Sequence, residues 1–184
     1  MRDLTWIVLF DSETPAGDVA WFIEQDERIL PVMVQGMAPG TEEVQEIVHA
    51  VEEEWVVTTR VDSDDALHRD HLRRVQDGFD GSSTYVEFTH GLMLDARRED
   101  LYHVRELSNA FSSLIEPPET ASTIWSCWHS RIREQGLPVL SLEEIGWLIV
   151  IHGFNKGSNL AQWRHSDPVQ EDEKRRLLSE FGIS

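Results

Sequence analysis

The chain has 184 residues, 40% of them hydrophobic, and 34 acidic against 16 basic residues give it a formal charge of −18. That length and apolar content suit a single domain with a real core, and so negative a surface repels nucleic-acid phosphates and disfavours DNA or RNA as partners. The sequence has no run of about 18 apolar residues and no basic-then-apolar leader, and its lone cysteine, Cys127, makes neither an intrachain disulfide nor a thiolate cluster.

The chain therefore reads as soluble and cytoplasmic, and a metal in it would take oxygen and imidazole ligands. Leu4 to Phe10 is an apolar, Trp/Ile/Val-rich stretch that ends at Asp11-Ser12-Glu13-Thr14-Pro15, the pattern of a buried strand entering a polar loop. Val19, Phe22 and Ile23 predict a short helix, and Ile29 to Val34 a second strand. Thr41 is placed to cap a helix whose Val44, Ile47, Val48 and Val51 share one face. Trp55 to Thr59 is the third strand, so the first third alternates strand and helix as α/β units do.

The acidic turn Asp62-Ser63-Asp64-Asp65 follows that strand, and a helix is expected from Ala66 to Asp77 with Leu67, Leu72 and Val75 on its buried side. Thr84 to Phe88 and Leu92 to Leu94, around Thr89-His90-Gly91, predict a hairpin or two short strands. Glu119 to Gln135 reads as a long helix after Pro117-Pro118. Ile145 to Ile151 reads as a strand ending at His152-Gly153, and the charged tail from Pro168 as a terminal helix.

Three carboxylates within four residues repel one another unless a cation or donors lie between them. Magnesium and manganese ions take carboxylate and phosphate oxygens, so an Asp-x-Asp turn can bridge an ion to a diphosphate. The competing reading is a helix N-cap supplied by Asp64 or Asp65. An EF-hand loop does not fit, because Leu67 stands where glycine is required and Arg73 where glutamate is.

Val57-Thr58-Thr59-Arg60-Val61-Asp62-Ser63-Asp64-Asp65-Ala66-Leu67 resembles a block of the rhamnosyltransferases, GT-A enzymes with an Asp-x-Asp motif. Three later segments resemble blocks that follow in the same order: Gly91-Leu92-Met93-Leu94-Asp95, Asn109 to Glu116, and Trp147 to Asn155. The resemblance spans about Leu4 to Asn159. It implies an α/β fold of GT-A, Rossmann-like type: one domain over 1–184 with a mixed, mostly parallel sheet flanked by helices. Within it, 1–80 would form the nucleotide-sugar and metal half, 81–165 the acceptor half and 166–184 a helical tail. GT-A domains open with a further strand and helix before the segment that Leu4 to Phe10 resembles. The fold expected lacks that first unit: either an upstream segment is missing from this chain, or it is a short form with an incomplete or differently built donor pocket, and the uncovered sheet edge would favour self-association into a homo-oligomer or pairing with another chain.

The implied function is transfer of a sugar, rhamnose among the candidates, from a nucleoside-diphosphate donor to a glycan, lipid-linked or protein acceptor, with Mn²⁺ or Mg²⁺ as cofactor. The alternative is a catalytically inactive GT-A-like module that binds a carbohydrate or a partner. Carried onto matching positions, Asp64 is the direct metal ligand and His152 completes the metal site. Asp62 lies against the ribose or a metal-bound water, and Asp65 orients the loop or meets the donor sugar. Arg60 either pairs with Asp62 or contacts phosphate. Asn155 and Lys156, in a glycine-bounded loop, are candidates to close over the diphosphate. Glu116, Glu119 and Asp95 are candidates for the general base that an inverting transfer requires. Trp125 and Trp128, spaced i, i+3, are candidates for a sugar platform against the commoner fate of core packing.

Overall fold

A computed structural model describes residues 4–35, 41–153 and 168–183. The chain divides into two compact units, one formed by Met1–Val56 with Glu116–Ser126, the other by Val57–Ile115 with Cys127–Ser184.

In the first unit, strand β1 (Trp6–Asp11) leads through helix α1 (Ala16–Ile23) to strand β2 (Ile29–Val34), which pairs with β1 in parallel. This is the β-α-β crossover expected from the alternation of elements. Helix α2 (Thr41–His49) buries Val44 and Val48 against Ala121, with Ile7, Leu9, Val56 and Trp125 packed around them. Two side-chain bonds to backbone carbonyls fix the helix on that loop: Gln45 Nε2 donates to Ser122 O at 3.1 Å, and His49 Nε2 lies 2.9 Å from Ala121 O.

Residues 119–135 are not the long helix expected from the sequence. They form separate 3-10 turns at Pro118–Thr120, Ile124–Ser126 and His129–Glu134. The backbone is extended at Ala121 and Trp128 and left-handed at Thr123 (φ 66°). The cause is local competition for donors, because the Glu116 carboxylate accepts from Ser122 N, Ser122 Oγ and Thr123 N, which draws this backbone away from helical pairing.

The second unit is built on a six-stranded sheet containing β3 (Val56–Thr59), β4 (Ala66–Leu67), β5 (Thr84–Asp95), β6 (Asp100–Arg105), β7 (Ser113–Glu116) and β8 (Val139–Ile151). Its order is β3-β7-β5-β8-β4, with β6 also on β5. The expectation of a mostly parallel sheet is corrected: β5 and β8 are parallel, while β5–β6, β5–β7 and β4–β8 are antiparallel. A turn as short as Ala96–Glu99, which joins β5 to β6, permits only antiparallel pairing.

Thr89-His90-Gly91 is likewise not a hairpin turn. β5 runs through it as one strand, with register shifts against β8 at Phe88/His90 and His90/Gly91 that mark a bulge. Gly91 has no room for a side chain, since a Cβ there would lie 2.2 Å from the Trp147 ring, and at Gly146 it would lie 2.1 Å from Phe88. The Trp147 indole stacks on Phe111 at 5.0 Å and donates from Nε1 to Phe88 O at 2.9 Å.

Helix α4 (Glu171–Ser179), the predicted tail helix, inserts Leu177 among Leu92, Leu101 and Leu148. Helix α3 (His71–Asp77) starts five residues later than expected, because Ala66 and Leu67 are drawn into the sheet as β4.

His71, on α3, is buried over Phe88. Its Nδ1 lies 2.8 Å from Gly146 O and its Nε2 3.5 Å from Ser113 Oγ, which in turn meets Thr59 Oγ1 at 2.7 Å. Burial lowers its pKa to about 4, against the bond to Gly146 O. The unfolded chain binds a proton near pH 6.5 that the folded chain refuses until about pH 4, so this group removes stability as pH falls through that window. Denaturation of wild type and His71→Gln at pH 7 and pH 4 is expected to show wild type losing about 3 kcal/mol more than the variant, from a shift of roughly 2.5 pH units. Other groups titrating in the window cancel in that difference.

Candidate functional site

The acidic turn is positioned by the pairing of β4 with β8. Ala66 lies opposite Leu148 and Leu67 opposite Trp147, so the residues before Ala66 run back along the last residues of β8. Two contacts close this arrangement: Val150 N donates to Asp65 Oδ1 at 2.9 Å, and His152 Nε2 lies 2.8 Å from Asp64 Oδ2. Both members of the second pair stay accessible, Asp64 at 37% and His152 at 34% exposure. The helix-cap reading of the turn is overturned. The next helix begins at His71 with Asp70 at its cap, and Asp65 serves the β8 backbone instead.

Burial pushes the Asp65 carboxyl up to about 7, opposed by the Val150 N–H bond and reinforced by the charges of Asp64 and Asp62. Asp65 is thus the anchor of the turn, and Asp64 beside it faces outward. Arg60 takes the pairing role, with Nη2 at 3.2 Å and Nε at 3.3 Å from Asp62 Oδ1. The structure brings Asp64 and His152 together and holds Asp62 on Arg60.

Among the described residues no three His, Cys, Asp or Glu side chains are grouped to hold a metal by themselves. The Asp64–His152 spacing does match two adjacent corners of an octahedron, which bonds of about 2.1 Å place about 3 Å apart. Two protein ligands leave the remaining corners to water and substrate oxygens, the habit of Mg²⁺ and Mn²⁺ sites.

Of the three candidate bases, two belong to the first unit and one to the second. Glu116 belongs to the first unit and is committed to the Ser122–Thr123 loop. Glu119 is exposed in the same unit, on the 118–120 turn. Asp95 alone shares the unit of Asp64 and His152, at the end of β5 and opposite Ile151 in the β8 register. It is 1% exposed: Oδ1 accepts from Arg97 N at 3.0 Å and Arg98 N at 3.4 Å, while Oδ2 has Arg98 Nε at 3.8 Å and no hydrogen bond among the described residues. Trp128 is 66% exposed and Trp125 partly buried, in different units and on different turns, so they form no shared helix face. Asn155 and Lys156 lie outside the described residues.

One neighbour of the site escaped the sequence reading. The β5–β6 turn is tied to the end of β8 by Ala96 N donating to Ile151 O at 3.0 Å, and it lays the Arg97 guanidinium on Gly153. A Cβ at Gly153 would stand 2.1 Å from Arg97 Nη2, and its φ of 88° is itself one that glycine adopts freely. Finding Arg97 from sequence required seeing β6, whose Asp100-Leu101-Tyr102-His103-Val104-Arg105 has only a weak apolar alternation.

A family model described as putative rhamnosyl transferase matches residues 2–162. No curated protein matches the chain. No helix among the described residues is long and apolar enough to cross a membrane.

Proposed function

Because this chain belongs to the rhamnosyl transferase family, a family of glycosyltransferases, we propose that it is a metal-dependent enzyme of GT-A type that moves a sugar, rhamnose first among candidates, from a nucleoside diphosphate to an acceptor hydroxyl. The observation that carries this reading is the contact of Asp64 Oδ2 with His152 Nε2 at 2.8 Å, at the end of β8. Asp64 and His152 are the residues that would hold Mn²⁺ or Mg²⁺. When bound, the cation supplies Lewis-acid stabilisation of the diphosphate leaving group.

The protein's own part is placement. Asp65 fixes the turn on β8 through Val150 N, so Asp64 needs little reorganisation to act. Arg60 pairs with Asp62, and its positive charge offsets part of the repulsion within the cluster. Asp95 is the base candidate at the same strand ends, and because it is buried an acceptor hydroxyl reaches it only if the structure around it opens. Its burial favours a second reading, a module that binds the donor or a carbohydrate without turnover.

Incubation with a panel of uridine- and thymidine-diphosphate sugars in Mn²⁺, following release of the nucleoside diphosphate, separates the two. Release from one donor that stops on chelation supports the enzyme. Binding of the nucleoside diphosphate with no release from any donor, in the presence of acceptor hydroxyls, supports the module.

A further inference from the structure

We infer that Arg97 is a phosphate-binding residue of this site, its guanidinium gripping the diphosphate of the nucleotide whose cation Asp64 and His152 hold. The inference rests on the proposed donor site and adds to it a residue that the acidic motif does not contain. Arg97 sits one residue from that pair, since its guanidinium lies on Gly153, which follows His152 directly.

Its charge is uncommitted in a chain where that is unusual. Among the described residues Arg28, Arg60, Arg69, Arg73, Arg74, Arg98, Arg131, Arg133, Arg175 and Arg176 all have an Asp or Glu within 4.0 Å. Arg97 and Arg105 do not, although the chain carries 34 acidic residues. Arg105 lies at the far end of β6, opposite His90. Arg97 is exposed, and its turn is fixed at two points, by Asp95 Oδ1 on the Arg97 and Arg98 N–H groups and by Ile151 O on Ala96 N.

A planar guanidinium with free donors, lying over a glycine that has no side chain to displace it, matches the paired oxygens of a phosphate better than a point charge does. The glycine is part of the device. Any side chain at 153 would occupy the place of the guanidinium.

The test is calorimetric titration of wild type, Arg97→Ala, Arg97→Lys and Arg105→Ala with uridine diphosphate and thymidine diphosphate in Mn²⁺, beside titration with Mn²⁺ alone. Loss of a charge-assisted contact is expected to weaken diphosphate binding about ten- to hundredfold in Arg97→Ala. Arg97→Lys should be weakened less, and Arg105→Ala should bind as wild type does. Affinity for Mn²⁺ alone and the melting temperature should be the same in all four proteins. Unchanged diphosphate affinity in Arg97→Ala overturns the inference and leaves the Asp64–His152 reading standing. Weakened binding of Mn²⁺ alone in that variant also overturns it, since Arg97 would then act on the cation site. Failure of wild type to bind either diphosphate in Mn²⁺ overturns the inference together with the reading it rests on.

Discussion

Asp64→Ala is expected to abolish Mn²⁺-dependent binding of a nucleoside diphosphate and to lower sugar transfer by a factor of about a thousand or more, the several kcal/mol that a Lewis-acid contact supplies. The fold should survive this change. Asp64 is 37% exposed, and it meets His152 at the surface, whereas the turn is anchored by Asp65 on Val150 N. A melting temperature within a few degrees of wild type with the binding gone is the expected pair of readings. Asp64→Asn, which keeps the shape and a hydrogen bond but not the charge, should be nearly as deficient. Retention of Mn²⁺-dependent binding in both variants would move the cation elsewhere.

The largest stability effect is expected at Trp147. Its indole is 1% exposed, stacked on Phe111 and bonded to Phe88 O, and it fills the space over Gly91. Trp147→Ala empties that space and should cost about 3–5 kcal/mol, a large part of the stability of an ordinary domain. Gly91→Ala alone should also destabilise, by about 1–3 kcal/mol, because the new methyl overlaps the indole carbons. In the Trp147→Ala background the same methyl enters vacant space, so Gly91→Ala should there be neutral or stabilising. A double-mutant cycle by chemical denaturation reads this coupling directly, and additive costs would show that Gly91 is there for another reason. The pairing of an aromatic ring with a strand glycine explains why Gly91 lies inside β5 instead of ending it.

What the sequence disclosed follows from how local each signal is. β1, α1, β2, α2 and β3 were legible because their apolar periodicity is intact over single segments. Gly91 misled because its reason is a tryptophan 56 residues away. β8 begins at Val139, six residues before the predicted Ile145, since its first half alternates with exposed Ser141, Glu143 and Glu144 and lacks a continuous apolar run. Residues 119–135 are rich in Ser, Thr and Trp, which are weak helix formers, and Glu116 claims the donors at Ser122 and Thr123.

At the site, the family resemblance picked out Asp64 and His152, 88 positions apart, and the β4–β8 register brings them together. That Asp65 orients the loop was expected, but its partner Val150 N and the lie of Arg97 on Gly153 were not legible, because each depends on a backbone group of a distant strand end.

The central claim is that Asp64 and His152 form a cation-assisted nucleoside-diphosphate site. Titration of the wild-type chain with uridine diphosphate and thymidine diphosphate, with Mn²⁺ and with the metal chelated, tests it most directly. Saturable binding of one of them that requires Mn²⁺ and disappears in His152→Ala as well as in Asp64→Ala is the predicted result; no binding of either, or binding indifferent to the metal and to both substitutions, would contradict it.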